Sequence, residues 1–164
     1  MGRIIRYLAS MLPFPQGMRP SLYRLSGMRI GSRVTIDRNV QVTRPDMVVV
    51  GSRVTICNAV SILGEVTAVH SRLEEAYGIR KTAEVVIEDD AYIGVKATIV
   101  PGVRIGRMAT VGANTLVIAD VPPYAVVLGV PGRVMMIRPH AEADEGPAVT
   151  ETPPPAGSPE SPGP

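Results

Sequence analysis

Aromatic side chains are scarce in this chain: they make up 4% of its 164 residues, with no Trp and one Phe. A core built on large rings is excluded, and burial has to come from the abundant Val and Ile. Cys57 is the single cysteine, which excludes an internal disulfide and suits a reducing compartment. In TICNAV it directly follows an aliphatic residue and has no histidine nearby in sequence, so it reads as a small buried thiol and not as a nucleophile. No acidic residue precedes Asp37, whereas Arg3, Arg6, Arg19, Arg24 and Arg29 all do. Acids gather at the other end: residues 141–164 carry five acidic side chains and no basic one, leaving 17 basic against 10 acidic groups in the first 140. A basic body suits an anionic ligand, whether phosphorylated cofactor, nucleic acid or anionic lipid, without choosing among them. Long apolar runs are also missing. MGRIIRYLASMLPFP contains a charge and Pro13, is too short to span a bilayer, and shows no secretory pattern.

What the chain does have is a stride of six. From Ile87 it meets Ile93, Ile99, Ile105, Val111 and Val117 without a miss. Two places before these lie Val85, Ala91, Ala97, Val103, Ala109 and Thr115, all small or β-branched. Gly94, Gly106 and Gly112 directly follow three of the markers. Six matches neither the 3.6 period of a helix nor the alternation of a flat strand, so it reports a repeated unit of short strand and turn. Such units bury their aliphatic face only against each other, which predicts a parallel β-helix with a continuous core.

Read in order, residues 3–12 (RIIRYLASML) predict a short helix with Ile4, Leu8, Met11 and Leu12 on one face, ended by Pro13 and Pro15. It either caps the first coil or lies on an anionic membrane surface, and capping is the favoured reading. The stride opens at Ile30, Ile36 and Val42, slips by two around Arg44, Pro45 and Asp46, and resumes at Val50, Ile56 and Ile62. Residues 69–84 are polar and charged, so they are expected to loop out before the solenoid resumes at Val85. After Val117 the Pro-containing turns of VPPYAVVLGVPGRVMMIRP end the stepping, and a last aliphatic strand is expected to close the end. Seven of the last 24 residues are Pro, so the tail is expected to be disordered. The organisation expected is therefore a capping segment over 1–27, a repeat domain over 28–138 and a tail over 139–164.

YIGVKATIVPGVRIG followed by DVPPYAVVLGVPGRV resembles the hexapeptide-repeat acyltransferases, especially the maltose, galactoside and polysaccharide O-acetyltransferases. The resemblance covers roughly residues 28–138 and is densest over 85–134. It implies an all-β, left-handed parallel β-helix of about four to five coils, and a homotrimer with active sites at the subunit interfaces. It implies acetyl-CoA as co-substrate, no metal, a sugar or glycan acceptor and no nucleic acid. His70 in Thr67-Ala68-Val69-His70 matches the catalytic base, for which imidazole is suited because its pKa lies near working pH. Val95 and Ala113 match residues whose backbone meets the pantetheine arm; Arg133 of GVPGRV matches the basic residue near the nucleotide phosphates, with Arg138 as an assisting candidate. Tyr92, Asn39 and Glu65 are the acceptor-side candidates, with Glu74 and Glu75 as alternative carboxylates.

Where relatives commonly read Thr-Lys-Asp, this chain has Ile118-Ala119-Asp120, which removes one expected phosphate contact. An aminosugar acceptor (N-acetylation) remains open, as does a non-catalytic trimeric scaffold. The zinc hydratases built on the same solenoid need three histidine ligands, and the repeats hold one histidine. The expected location is the cytoplasm, with peripheral membrane contact through the basic N-terminus as the less favoured alternative to capping.

Overall fold

A computed structural model describes residues 17–67 and 72–139, apart from the side chains of Leu73 and Glu74. The helix expected over 3–12, the tail and both histidines, His70 and His140, lie outside the described residues.

The chain winds as a left-handed parallel β-helix of triangular section. Its first coil contributes β1 (Arg29–Ile30), β2 (Thr35–Ile36) and β3 (Gln41–Thr43), and the second β4 (Val48–Val50), β5 (Thr55–Ile56) and β6 (Ser61–Leu63). An excursion follows: β7 (Glu65–Thr67), a helical turn at Arg72–Tyr77 (α2) and β8 (Arg80–Thr82). The third coil is β9 (Val85–Ile87), β10 (Tyr92–Ile93) and β11 (Thr98–Ile99); the fourth is β12 (Arg104–Ile105), β13 (Thr110–Val111) and β14 (Leu116–Val117). A partial fifth coil bridges Ile105 to Val121 and continues as β15 (Ala125–Leu128).

Equivalent strands stack into three parallel sheets, which form the faces of the prism. Face one is β1-β4-β9-β12, face two begins β2-β5-β10-β13-β15, and face three is β3-β6-β11-β14. The pairing register joins markers to markers: Ile36 to Ile56, Ile56 to Ile93, and Ile93 to Val111. That is why six is the period of the sequence. Ile36, Ile56, Ile62, Ile87, Ile93, Ile99 and Ile105 are all fully buried, in a continuous core with the small residues two places before them. Each such side chain contributes about 1.5–3 kcal/mol by leaving water, so the column of isoleucines supplies the cohesion that scarce aromatics do not.

The corners that join the faces are short and bend sharply. At nine of them one residue adopts positive φ without being Gly: Arg33, Arg53, Asp90, Met108 and Tyr124 where face one meets face two, and Asn39, Ala59, Lys96 and Asn114 where face two meets face three. Gly94 answers a different need, because a Cβ there would come within 2.7 Å of the Ala113 nitrogen on the coil above. The slip of two residues in the first coil is a 3-10 turn at Pro45–Met47, entered through Arg44 at φ 48°. The excursion expected over 69–84 is present and is rooted at Glu65, since β7 has already left face three to pair antiparallel with β8.

The two ends differ from expectation in detail. At the start, a helix over Met18–Leu25 (α1) packs on the first coil, burying Tyr23 and donating its phenol to the Val40 carbonyl at 2.7 Å. Tyr23 thereby plugs the open end of the prism. At the finish there are two strands where one was expected. After β15, β16 (Arg133–Ile137) turns back and pairs with it antiparallel on face two, exposed along its whole length. Among the described residues no helix is long and apolar enough to cross a membrane.

Candidate active site

The corner between faces two and three gathers four of the eight residues expected to act, Val95, Ala113, Arg133 and Asn39. Successive coils place Arg38, Asn58, Val95 and Ala113 at one level of this corner, and the coils are tied together there by backbone bonds. Ala59 N–H donates to the Arg38 carbonyl at 3.0 Å, Lys96 N–H to Asn58 at 3.0 Å, and Asn114 N–H to Val95 at 2.9 Å. Val95 and Ala113 are exposed neighbours in this stack. Gly112 lies beneath Leu128, whose Cδ2 occupies the space a Cβ would need. Leu128 in turn pairs with Arg133, so the exposed guanidinium of Arg133 is carried by the strand that finishes the same corner. An extended ligand laid on this corner meets two coils with little side-chain bulk and then a cation.

Arg138 does not join Arg133. It is at the far end of β16, its N–H donating to Tyr124 of the opposite corner at 3.0 Å and its guanidinium to Thr110 Oγ1 at 2.9 Å. A strand runs between the two arginines, and a shared role on one phosphate group is not what this geometry offers.

The acceptor-side candidates are divided as well. Asn39 occupies the lowest coil of the same corner, exposed and at φ 58°. Tyr92 projects from the outer side of face two, 44% exposed, and its Oη accepts a hydrogen bond from the thiol of Cys57 at 3.2 Å. Contact with Cys57, burial and the nearby Asp37 carboxylate together hold the Tyr92 phenol above its ordinary pKa. Cys57 itself is 7% exposed, as its place beside a core marker suggested.

Glu65 stands elsewhere, at the root of the excursion on the corner between faces three and one. Its carboxylate lies 3.9 Å from the Arg44 guanidinium and 3.6 Å from that of Arg80, and accepts from Thr82 Oγ1 at 3.3 Å. Its backbone carbonyl accepts from Thr43 Oγ1 at 3.2 Å. Beneath it Gly64 packs on the Arg44 and Thr43 carbonyls so closely that a Cβ would come within 2.8 Å of each. Glu65 is therefore engaged in bracing the excursion. His70 follows β7 by three residues in sequence and is outside the described residues.

Comparison with known proteins gives this arrangement a family. Residues 84–119 match a family profile described as the hexapeptide repeat of succinyl-transferase. A putative acetyltransferase of Bacillus subtilis (strain 168), YvoF, is 36% identical over 135 residues, which cover 80% of this chain and 73% of that protein. The chain belongs to the hexapeptide-repeat acetyltransferase family. Within that family, a 2,3,4,5-tetrahydropyridine-2,6-dicarboxylate N-acetyltransferase of Brevibacillus brevis is 53% identical over 51 residues. Those residues are 31% of this chain and 22% of that protein, so the chain spans about a fifth of its length. Among solved structures, a hexapeptide-repeat containing acetyltransferase from Vibrio cholerae O1 biovar eltor, complexed with acetyl coenzyme A, superposes with a TM-score of 0.69 at 24% identity. The match covers 84% of this chain and 86% of that one, and it establishes the fold.

Sequence reasoning passed over Arg38, Asn58 and Lys96. Aligning the coils by their markers would have found them, because they stand two or three places after a marker, alongside Val95 and Ala113.

Proposed function

We propose that this protein transfers acetyl from acetyl-CoA to a hydroxyl of a sugar or glycan. The observation that carries the reading is the corner between faces two and three, where Val95 and Ala113 stack as exposed uncharged neighbours, beside Lys96, on a path that ends at the exposed Arg133. These residues fit the co-substrate by type. Backbone groups on slender turns suit a pantetheine arm, and a guanidinium suits phosphate because its fork donates two parallel hydrogen bonds. Family membership and the sequence context of His70 support the rest of the assignment.

In this reading His70 removes the proton of the acceptor hydroxyl as its oxygen attacks the acetyl carbonyl carbon. The carbon–sulfur bond then breaks, and the leaving thiolate takes the proton from the imidazolium. Backbone N–H groups stabilise the oxyanion that forms between these two events. The root of the His70 excursion and the path past Val95 are on different corners of one prism. A homotrimer, in which the excursion of one subunit meets the neighbouring subunit's corner, satisfies both, and we include it in the proposal. The site then lies between subunits, with Tyr92 and Asn39 on the acceptor side.

The test is thiol release from acetyl-CoA over a panel of sugars, wild type beside His70→Ala. Loss of about two orders of magnitude in kcat is expected, and an unchanged rate rejects His70 as the base. Absence of any thermal stabilisation by coenzyme A would reject the enzyme reading in favour of a scaffold.

A further inference from the structure

Charge is balanced on two corners of the prism and unbalanced on the third. Between faces one and two, Arg53 is paired with Asp90; between faces three and one, Arg44 is paired with Asp46 and stands near Glu65. The corner between faces two and three carries Arg38 in the first coil, Lys96 in the third and Arg133 at its end, all exposed. None of these three has an ion-pair partner among the described residues, and Asp37 is the single acid of the corner.

Arg133 has an occupant in the reading above, the phosphates of the co-substrate. Arg38 does not. It lies at the other end of the corner, five strand spacings away, or roughly 24 Å at about 4.8 Å per strand. Between them the path runs past Ala113 and Val95, where an uncharged arm fits, and the acyl end of that arm approaches the coil of Cys57 and Asn58. What lies beyond the acyl end is the acceptor. Asn39 in the first coil and Asn58 in the second flank Arg38 there, both exposed, and neither carboxamide is hydrogen-bonded among the described residues. Carboxamides both donate and accept, as sugar hydroxyls require, and a guanidinium only donates, which selects an anion.

We infer that Arg38, flanked by Asn39 and Asn58, binds a negatively charged group on the acceptor, so that the acceptor is an anionic sugar carrying a phosphate or carboxylate. This rests on the acetyltransfer reading and adds to it the charge class of the substrate. Lys96, one coil above Asn58, adds a second positive charge to the approach without lying at the acceptor end.

The full chain should be assayed for thiol release from acetyl-CoA with a neutral hexose, its phosphate ester and its uronate. At least one charged acceptor is expected to exceed the neutral hexose by about tenfold or more in kcat/KM, and the comparison of phosphate with carboxylate identifies the group. Arg38→Ala is expected to abolish that preference and leave KM for acetyl-CoA unchanged; Arg38→Lys should restore part of it. Arg133→Ala is expected to do the reverse, raising KM for acetyl-CoA and preserving the preference. Equal use of neutral and charged sugars, or a preference that survives Arg38→Ala, overturns the inference while leaving acetyltransfer intact. If no sugar is turned over, the acetyltransfer reading fails on its own, and Arg38 is judged by thermal shift with the hexose phosphate. Stabilisation of the wild type that is lost in Arg38→Ala supports the anion site; no stabilisation of the wild type overturns it.

Discussion

Arg53 and Asp90 occupy matching corner positions of consecutive coils, and the guanidinium meets the carboxylate with both arms, Nε to Oδ1 at 2.5 Å and Nη2 to Oδ2 at 2.6 Å. Both residues are held at positive φ, 57° and 61°. The pair staples the second coil to the third, the two coils that the excursion separates in sequence, at a corner away from the excursion's own root.

This geometry predicts an acid-sensitive staple. The hydrogen bonds from Arg53 hold the Asp90 carboxyl below its ordinary pKa. Because the folded-state value is the lower one, the pair stabilises the fold above the unfolded carboxyl pKa of about 3.9 and loses that contribution as pH falls through the folded value. Asp90→Asn is therefore expected to lower stability at pH 7 and to make little difference at about pH 2. Urea denaturation of both proteins at the two pH values checks the sign, and an equal loss at both contradicts it.

Ala59 predicts a gain. It sits at φ 59° in the corner after β5, a conformation that costs an L-residue roughly 1–2 kcal/mol. Ala59→Gly removes that cost while giving back some chain entropy, so a rise in stability of about 0.5–1 kcal/mol is expected. Ala59→Val is expected to destabilise. Thermal unfolding of both variants orders them, and Val above Gly would refute the account.

Gly94 predicts a loss of the opposite origin. Its φ is ordinary, yet a Cβ would press within 2.7 Å on the backbone of Gly112 and Ala113, which cannot swing away as a side-chain tip can. Gly94→Ala is expected to cost about 1–3 kcal/mol by forcing the two coils apart. If acetyl transfer is measured as well, KM for acetyl-CoA should rise, because the displaced coil carries Ala113.

Glu65 predicts a local effect. Flanked by Arg44 and Arg80 and bonded to Thr82, it holds the excursion against the first-coil turn. Glu65→Gln is expected to reduce global stability by no more than about 1 kcal/mol, since partly exposed ion pairs are weak. Hydrogen exchange should nevertheless accelerate in Arg80–Thr82 ahead of the core strands. Uniform acceleration throughout the prism would show that the carboxylate acts on the fold as a whole.

Much of this architecture was legible because it is one-dimensional. Within each run, Ile30 to Val42, Val50 to Ile62 and Ile87 to Val117, the markers recur every six residues, so local spacing alone specified the coils, and its two breaks located the slip at Pro45 and the interruption before Val85. The ends are not repeats, and there local reading failed. The helix over Met18–Leu25 exists because Tyr23 fills the open prism, a tertiary demand that MRPSLYRL does not announce, although Pro20 in its first turn is compatible with a helix start. The reversal into β16 was missed since RVMMI reads as any aliphatic strand, with nothing in its pattern to give direction. In the candidate site, the alignment of Val95, Ala113 and Arg133 followed from the repeats, whereas the engagement of Glu65 with two arginines depended on a fold-back that the spacing does not encode. Arg138, expected to assist Arg133, is carried away from it by the five-residue strand β16.

That final strand has a consequence for assembly. A parallel solenoid offers its terminal rim as a template on which another molecule's first turn could be laid, and molecules that add in that way polymerise without limit. Here β16 runs against every strand beneath it on face two, so an incoming parallel rung finds the wrong polarity, while α1 blocks the other rim. Among the described residues, in-register end-on growth along face two is therefore disfavoured at both rims.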